Sequence, residues 1–195
     1  MTDTKVQTII LKQSDFNDNS IKKLSDMYKD IQYKRFVVKS CIHISRVFTI
    51  DENLSILKGK SIETTKRLYI KNCIVTIKEH AGLVSDARLA ETRNNNYGII
   101  ITKSTIINDG LLMAMPDNNG IIFKNSNVTN NNYIKTCGKN SDIFIGNGTL
   151  FNNNHIIEFE NKTSIIQEDK KAYINKKGQI KYIPKRGDNW KKFNF

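Results

Sequence analysis

The chain has 195 residues, 38% of them hydrophobic and 26% charged, which suits one domain with extensions and is too apolar for wholesale disorder. Lys and Arg number 31 against 19 Asp and Glu, a formal charge of +12. No run approaches the ~20 apolar residues of a membrane span, and Cys41, Cys73 and Cys137 are an odd, sparse set that suits reduced thiols better than a disulfide framework or a zinc cluster.

Residues 1–45 read as an N-terminal segment and cap. Its opening stretch, MTDTKVQTIILKQSD, lacks the long apolar core and cleavage site of a secretory signal. Within 20–33, Ile21, Leu24, Met27, Tyr28 and Ile31 recur at helical spacing behind Ser20, which predicts a short amphipathic capping helix. Residues 33–44 read as a strand leading into the first coil.

Residues 46–183 repeat. Three units of 22 residues cover 98–119, 120–141 and 142–163, and a fourth begins at 164. Upstream, 46–66 forms a shorter unit, and 67–97 forms one with about nine extra residues. The second position of each unit is Val47, Leu68, Ile99, Ile121, Ile143 and Ile165. The ninth is Leu54, Val75, Ile106, Val128 and Leu150. The seventh is small in Cys73, Ser104, Ser126 and Gly148. The eleventh is Asn108, Asn130 and Asn152, which predicts a stack of identical turns with side-chain amides bonded from layer to layer. Short β-branched runs separated by Asn, Gly and Asp leave no room for helices between strands.

This period, with its ladders and turns, resembles the right-handed parallel β-helix, the pectin-lyase-like fold, over about 46–183. The fold class expected is therefore all-β, a solenoid of ~22-residue coils with the N-terminal cap and an extended C-terminal tail. A β-sandwich is the competing all-β reading, and it has no reason to repeat one Asn column.

The tail, 184–195, holds Lys185, Arg186, Trp190, Lys191, Lys192, Phe193 and Phe195. Residues 94–163 are neutral in sum, so the positive excess lies in the flanks. The tail is a candidate docking peptide for another chain, an acidic surface or nucleic acid. No RNP motif, helix-turn-helix pattern or zinc-finger spacing accompanies it.

The resemblance brings polysaccharide chemistry into question, because parallel β-helices often act on polysaccharides. Glycoside hydrolysis needs two carboxyl groups across the bond. Glu158 and Glu160 lie on one side of a strand and form the one candidate pair. No Arg occurs between Arg93 and Arg186 to neutralise a uronate. His43, His80 and His155 form no readable triad, and no phosphate-loop motif occurs. No catalytic residue, metal site or cofactor is expected.

If positions two and four face inward, position three faces out. It reads Phe48, Tyr69, Ile100, Ile122, Phe144 and Ile166. A solvated face would carry polar residues there, so this stripe is the candidate interface. Its cover is expected to be the chain's own flanks or other protein subunits, copies of this chain included. The composition, with 29 Ile, 24 Asn and 25 Lys, is AT-rich in coding bias and resembles small viral structural β-helix proteins. The function expected is non-enzymatic: a minor capsid, cementing or tail-associated virion component, in the virion or the host-cell cytoplasm. A carbohydrate-binding or carbohydrate-degrading module and a nonspecific nucleic-acid binder are the alternatives.

Overall fold

The structure is a computed structural model that describes residues 6–18, 20–86, 97–115, 120–137, 141–160, 165–167, 173–175 and 178–183. The chain enters on β1 (Gln7–Leu11), then β2 (Lys34–Val38) and β3 (Ile42–Ile44). Coils of three short strands come next: β4 (Phe48–Ile50), β5 (Leu54–Ile56) and β6 (Ser61–Thr64), then β7 (Leu68–Lys71), β8 (Ile74–Ile77) and β9 (Gly82–Asp86). The most regular coils are β10 (Tyr97–Thr102), β11 (Thr105–Asn108) and β12 (Leu111–Met115), succeeded by β13 (Gly120–Lys124), β14 (Asn127–Asn130) and β15 (Tyr133–Thr136). The last are β16 (Ile143–Ile145), β17 (Leu150–Asn153) and β18 (Ile156–Glu160), with β19 (Ile165–Gln167), β20 (Tyr173–Asn175) and β21 (Gln179–Ile183).

Each strand pairs in parallel with its counterpart one coil away. The result is three sheets: a first of eight strands from β1 to β20, a second of six from β4 to β19, and a third of seven from β3 to β21. This is the expected parallel β-helix. Its stack begins before position 46, because β1, β2 and β3 already belong to the first and third sheets.

The interior follows strand alternation. Leu68, Ile99, Ile121 and Ile143 of the second sheet face Val75, Ile106 and Val128 of the first and Leu83, Leu112 and Ile134 of the third, and all are buried. Fully burying one such side chain stabilises by about 1.5–3 kcal/mol. The long second unit also resolves in register. Two of its extra residues lie in the turn 78–81, one is the irregularity at Gly98 inside β10, and the rest fall between β9 and β10.

Two ends of the alignment slip by one residue. In the first coil Phe48, not Val47, pairs with Leu68; Phe48 is buried and Val47 is exposed. Inward pairing of Phe48 with Ile50 buries more apolar surface than Val47 with Thr49 would. In the fifth coil the corner after Ile145 has one extra residue, so Phe151 lies on Val128 and Asn153 on Asn130. Leu150 and Asn152 therefore face outward, and Thr149 takes the place expected of Gly148.

The buried amide ladder thus runs through Asn108, Asn130 and Asn153 rather than Asn152. Asn108 Nδ2 donates to Asn130 Oδ1 at 2.7 Å and to the Tyr133 carbonyl at 2.8 Å. Asn130 Nδ2 donates to Asn153 Oδ1 at 2.7 Å and to the Ile156 carbonyl at 3.2 Å. A second, exposed ladder runs beside it through Asp109, Asn131 and Asn154.

Residues 20–33 do not form the amphipathic α-helix expected of them. They hold a single 3-10 turn, Leu24–Asp26, and another lies upstream at Gln13–Phe16. Leu24 and Met27 are buried as the spacing predicted, while Tyr28 is exposed. Ser20 donates its backbone N–H to Asp18 instead of capping a helix, and this bond holds the Asp18 carboxyl below its ordinary range.

The competing demand is the open end of the stack. Short isolated helices are marginal, whereas sheet edges present backbone groups that need partners. Lys23 pairs with Thr49 at the edge of the second sheet, where the Thr49 N–H reaches the Lys22 carbonyl at 2.9 Å. The Gln13 side chain acts as a one-residue strand on β3, donating to the His43 carbonyl and accepting from the His43 N–H. Arg46 binds the carbonyls of Phe16 and Ile21, each at 2.8 Å. The cap is an irregular coil in its own right.

Replacing Asn130 by Ala removes the middle rung and leaves buried amide groups of Asn108 and Asn153 short of partners. The expected loss is about 2–4 kcal/mol of unfolding free energy, read from the guanidinium midpoint. Asn131→Ala, in the exposed ladder, is expected to cost under about 1 kcal/mol. Equal losses would show that the buried amides are not special.

Candidate functional site

The second sheet turns one column of side chains outward. In register it is Thr49, Tyr69, Ile100, Ile122, Phe144 and Ile166. Five of the six expected stripe residues lie in it. Phe48 does not: the one-residue slip sends it into the core and puts Thr49 in its place. The stripe is therefore apolar from Tyr69 onward. Ile122 is buried by its neighbours, Tyr69, Ile100 and Phe144 are half-buried, and Ile166 is 40% exposed.

Aromatic and cationic groups border the column. Tyr97 packs its ring on Phe144 with centroids 6.1 Å apart. Lys71 Nζ stands 4.9 Å from the Tyr69 ring centre, and Lys124 Nζ stands 5.5 Å from that of Phe144. Arg67 reaches the Tyr97 carbonyl at 3.0 Å and Tyr69 Oη at 3.5 Å. The N-terminal flank does not cover this stripe among the described residues: 6–33 is engaged at the end of the stack. The whole basic, aromatic tail, Lys185 to Phe195, lies outside the described residues.

A second outward apolar set escaped the sequence reading. On the third sheet Val84 pairs with Met113, Leu111 with Tyr133, and Tyr133 in turn with Ile156. Val84 and Ile156 are buried although strand alternation turns them away from the core. The unbroken run Leu111-Leu112-Met113 carried the signal, since a one-sided strand would interrupt it with a polar residue.

Of the two candidate carboxylates, Glu158 alone has a described side chain. Glu158 is mostly covered and forms an ion pair with Lys135 on the neighbouring strand. The Glu160 side chain lies outside the described residues. The histidines are dispersed. His43 Nδ1 lies 3.4 Å from Glu63 Oε2, His80 Nε2 lies 3.2 Å from Glu79 Oε1, and His155 packs edge-on against Tyr133. The Lys58 ammonium, hydrogen-bonded to Glu79, holds that carboxyl below its ordinary range. Among the described residues no three His, Cys, Asp or Glu side chains are placed to hold a metal ion. Nor is any helix long and apolar enough to cross a membrane.

No protein family, curated protein or solved structure matches the chain. Its properties have to be read from its own surfaces.

The thiols make one such property measurable. Burial pushes the Cys73 thiol up to about 11, with the Ser104 hydroxyl pulling weakly the other way. Its Sγ also points at the Ile50 carbonyl, 3.4 Å away. Cys137 is buried and Cys41 exposed. A thiol with a pKa near 11 is only about one-thousandth thiolate at pH 8. Maleimide labelling at that pH should therefore modify Cys41 alone in the folded chain and all three cysteines in denaturant. Labelling of Cys73 at the rate of Cys41 would contradict the buried corner.

Proposed function

We propose that the chain is a non-enzymatic structural subunit that packs against other protein subunits, as a minor capsid, cementing or tail-associated component of a virion. One observation carries this reading. From Tyr69 to Ile166 the outer column of the second sheet is apolar over five successive strands. An antiparallel or solvated face alternates in polar residues, whereas a sheet covered on both sides does not. Contiguous apolar surface of this kind marks protein contact.

The scaffold suits the role. Parallel ladders run the length of the stack and hold the column on a stiff, nearly flat support. Polysaccharide cleavage finds less support, because Glu158 is occupied by Lys135. A virion setting rests on composition and on the resemblance to small viral structural β-helix proteins.

The test is co-assembly. Particles or native complexes containing the chain would be purified and cross-linked, and its neighbours identified by mass spectrometry. Lys71 and Lys124, which stand against the rings of Tyr69 and Phe144, are cross-linkable groups at the stripe. The double substitution Ile100→Ser with Phe144→Ser changes two outward side chains and should retain the β-sheet circular dichroism spectrum. It is expected to reduce incorporation into the complex at least about tenfold, the equivalent of 1.4 kcal/mol of lost contact. Normal incorporation of a folded double variant would overturn the assignment of the interface. A free monomer that degrades polysaccharide would overturn the structural role itself.

A further inference from the structure

The corner joining the second sheet to the first carries one lysine in each of three successive coils: Lys71, Lys103 and Lys124. Lys71 and Lys124 share a register column, each paired with Thr102 between them, and Lys103 comes directly after Thr102. The Lys103 N–H bonds to the Lys124 carbonyl at 3.0 Å. Strands in register are about 4.8 Å apart, so the backbones of these three lysines lie within about two strand spacings of one another at one border of the apolar stripe.

Their surroundings differ from those of the ion-paired lysines. Lys23, Lys29, Lys34, Lys58 and Lys135 each lie within 4.0 Å of a carboxylate. None of Lys71, Lys103 and Lys124 has an ion-pair partner among the described residues. Two of them rest instead over the stripe's own rings, Lys71 over Tyr69 and Lys124 over Phe144, which holds their charge at the border of the apolar column. Like charges gathered in this way repel one another, and an anionic partner would relieve that repulsion.

We infer that this edge, together with the stripe, receives an extended acidic segment of a partner protein in which apolar and acidic residues interleave. The inference rests on the proposed assembly role and names the chemistry of the partner. Apolar side chains of the segment lie on Ile100 and Phe144, on either side of the buried Ile122, and its carboxylates reach the three lysines. The column from Tyr69 to Phe144 spans three strand spacings, about 14 Å, which an extended segment of about four or five residues covers. A second copy of this chain is a poor occupant of the lysine edge, because each copy carries a formal charge of +12. A nucleic acid fits less well than an acidic segment. Its bases stack on aromatic faces, and the middle of the column is aliphatic, Ile100 and Ile122.

The probe is a short fluorescein-labelled peptide alternating glutamate with leucine, titrated into the full chain and followed by anisotropy. Binding should weaken as salt is raised. It should fall about tenfold in the triple variant Lys71→Ala, Lys103→Ala and Lys124→Ala, and by a similar factor in Ile100→Ser with Phe144→Ser. The matching lysine–leucine peptide should not bind. No binding by the glutamate peptide, binding unchanged in the triple lysine variant, or displacement of the peptide by oligothymidylate would each overturn the inference. Co-assembly assays on the same variants separate this outcome from the broader role. If the lysine variant incorporates normally while the stripe variant does not, the interface stands and its acidic partner is refuted. If both incorporate normally, the interface itself is refuted.

Discussion

In-register parallel stacking is the constraint on which everything else in this molecule depends. Each strand lies on its counterpart one coil away, so each side chain meets its own equivalent at about 4.8 Å. The consequence differs with the side chain. Aliphatic columns such as Leu68, Ile99, Ile121 and Ile143 fill the interior. Buried amides are tolerated because each one supplies both a donor and an acceptor to its neighbours, as Asn108, Asn130 and Asn153 do. A lone buried amide would be costly. At the surface the same register puts Lys71 and Lys124 in one column, two coils apart with Thr102 between them.

Corners turn the chain between sheets, and they repeat as faithfully as the strands. Asn72, Lys103, Asn125 and Gly148 all take left-handed backbone, with φ between 49° and 68°. The next residue is small or hydroxylated: Cys73, Ser104, Ser126 and Thr149. Ser104 and Ser126 donate their hydroxyls to carbonyls two residues back, each at 2.8 Å. At Gly148 a Cβ would also come within 2.5 Å of Asn125 Oδ1, so a larger residue there would have to displace that side chain. Corners also absorb length. The first coil is one residue short after Ile50 and the fifth is one residue long after Ile145, yet the sheets stay aligned.

The coils were legible from sequence because period, alternation and turn chemistry all agreed over residues 67–145. Legibility failed where one of these was ambiguous. Val47-Phe48 and Leu150-Phe151 are adjacent apolar pairs, and alternation alone cannot say which member faces in. A slip of one residue exchanges the faces, so Phe48 left the stripe and Asn153 replaced Asn152. The N-terminal segment failed differently. Its apolar spacing correctly marked Leu24 and Met27 as buried, but helical periodicity says nothing about an open sheet edge awaiting backbone partners. The candidate site was legible as a column, whereas its lysine edge depends on register between coils and could not be seen until the strands were paired.

The resulting object is a stiff prism whose distinguishing features are on its faces. Its register is what places Tyr69, Ile100, Ile122 and Phe144 in one line, so register is the claim to test. In a Cys41→Ser background, Thr129→Cys with Asn152→Cys puts two thiols on directly paired outward positions of β14 and β17, within the Cα separation that a disulfide accepts. Thr129→Cys with Leu150→Cys puts them on a diagonal, beyond it. Mild oxidation should cross-link the first pair within the folded monomer and leave the second reduced. Cross-linking of the second pair in preference to the first, or of neither, would mean that the coils do not stack in this register.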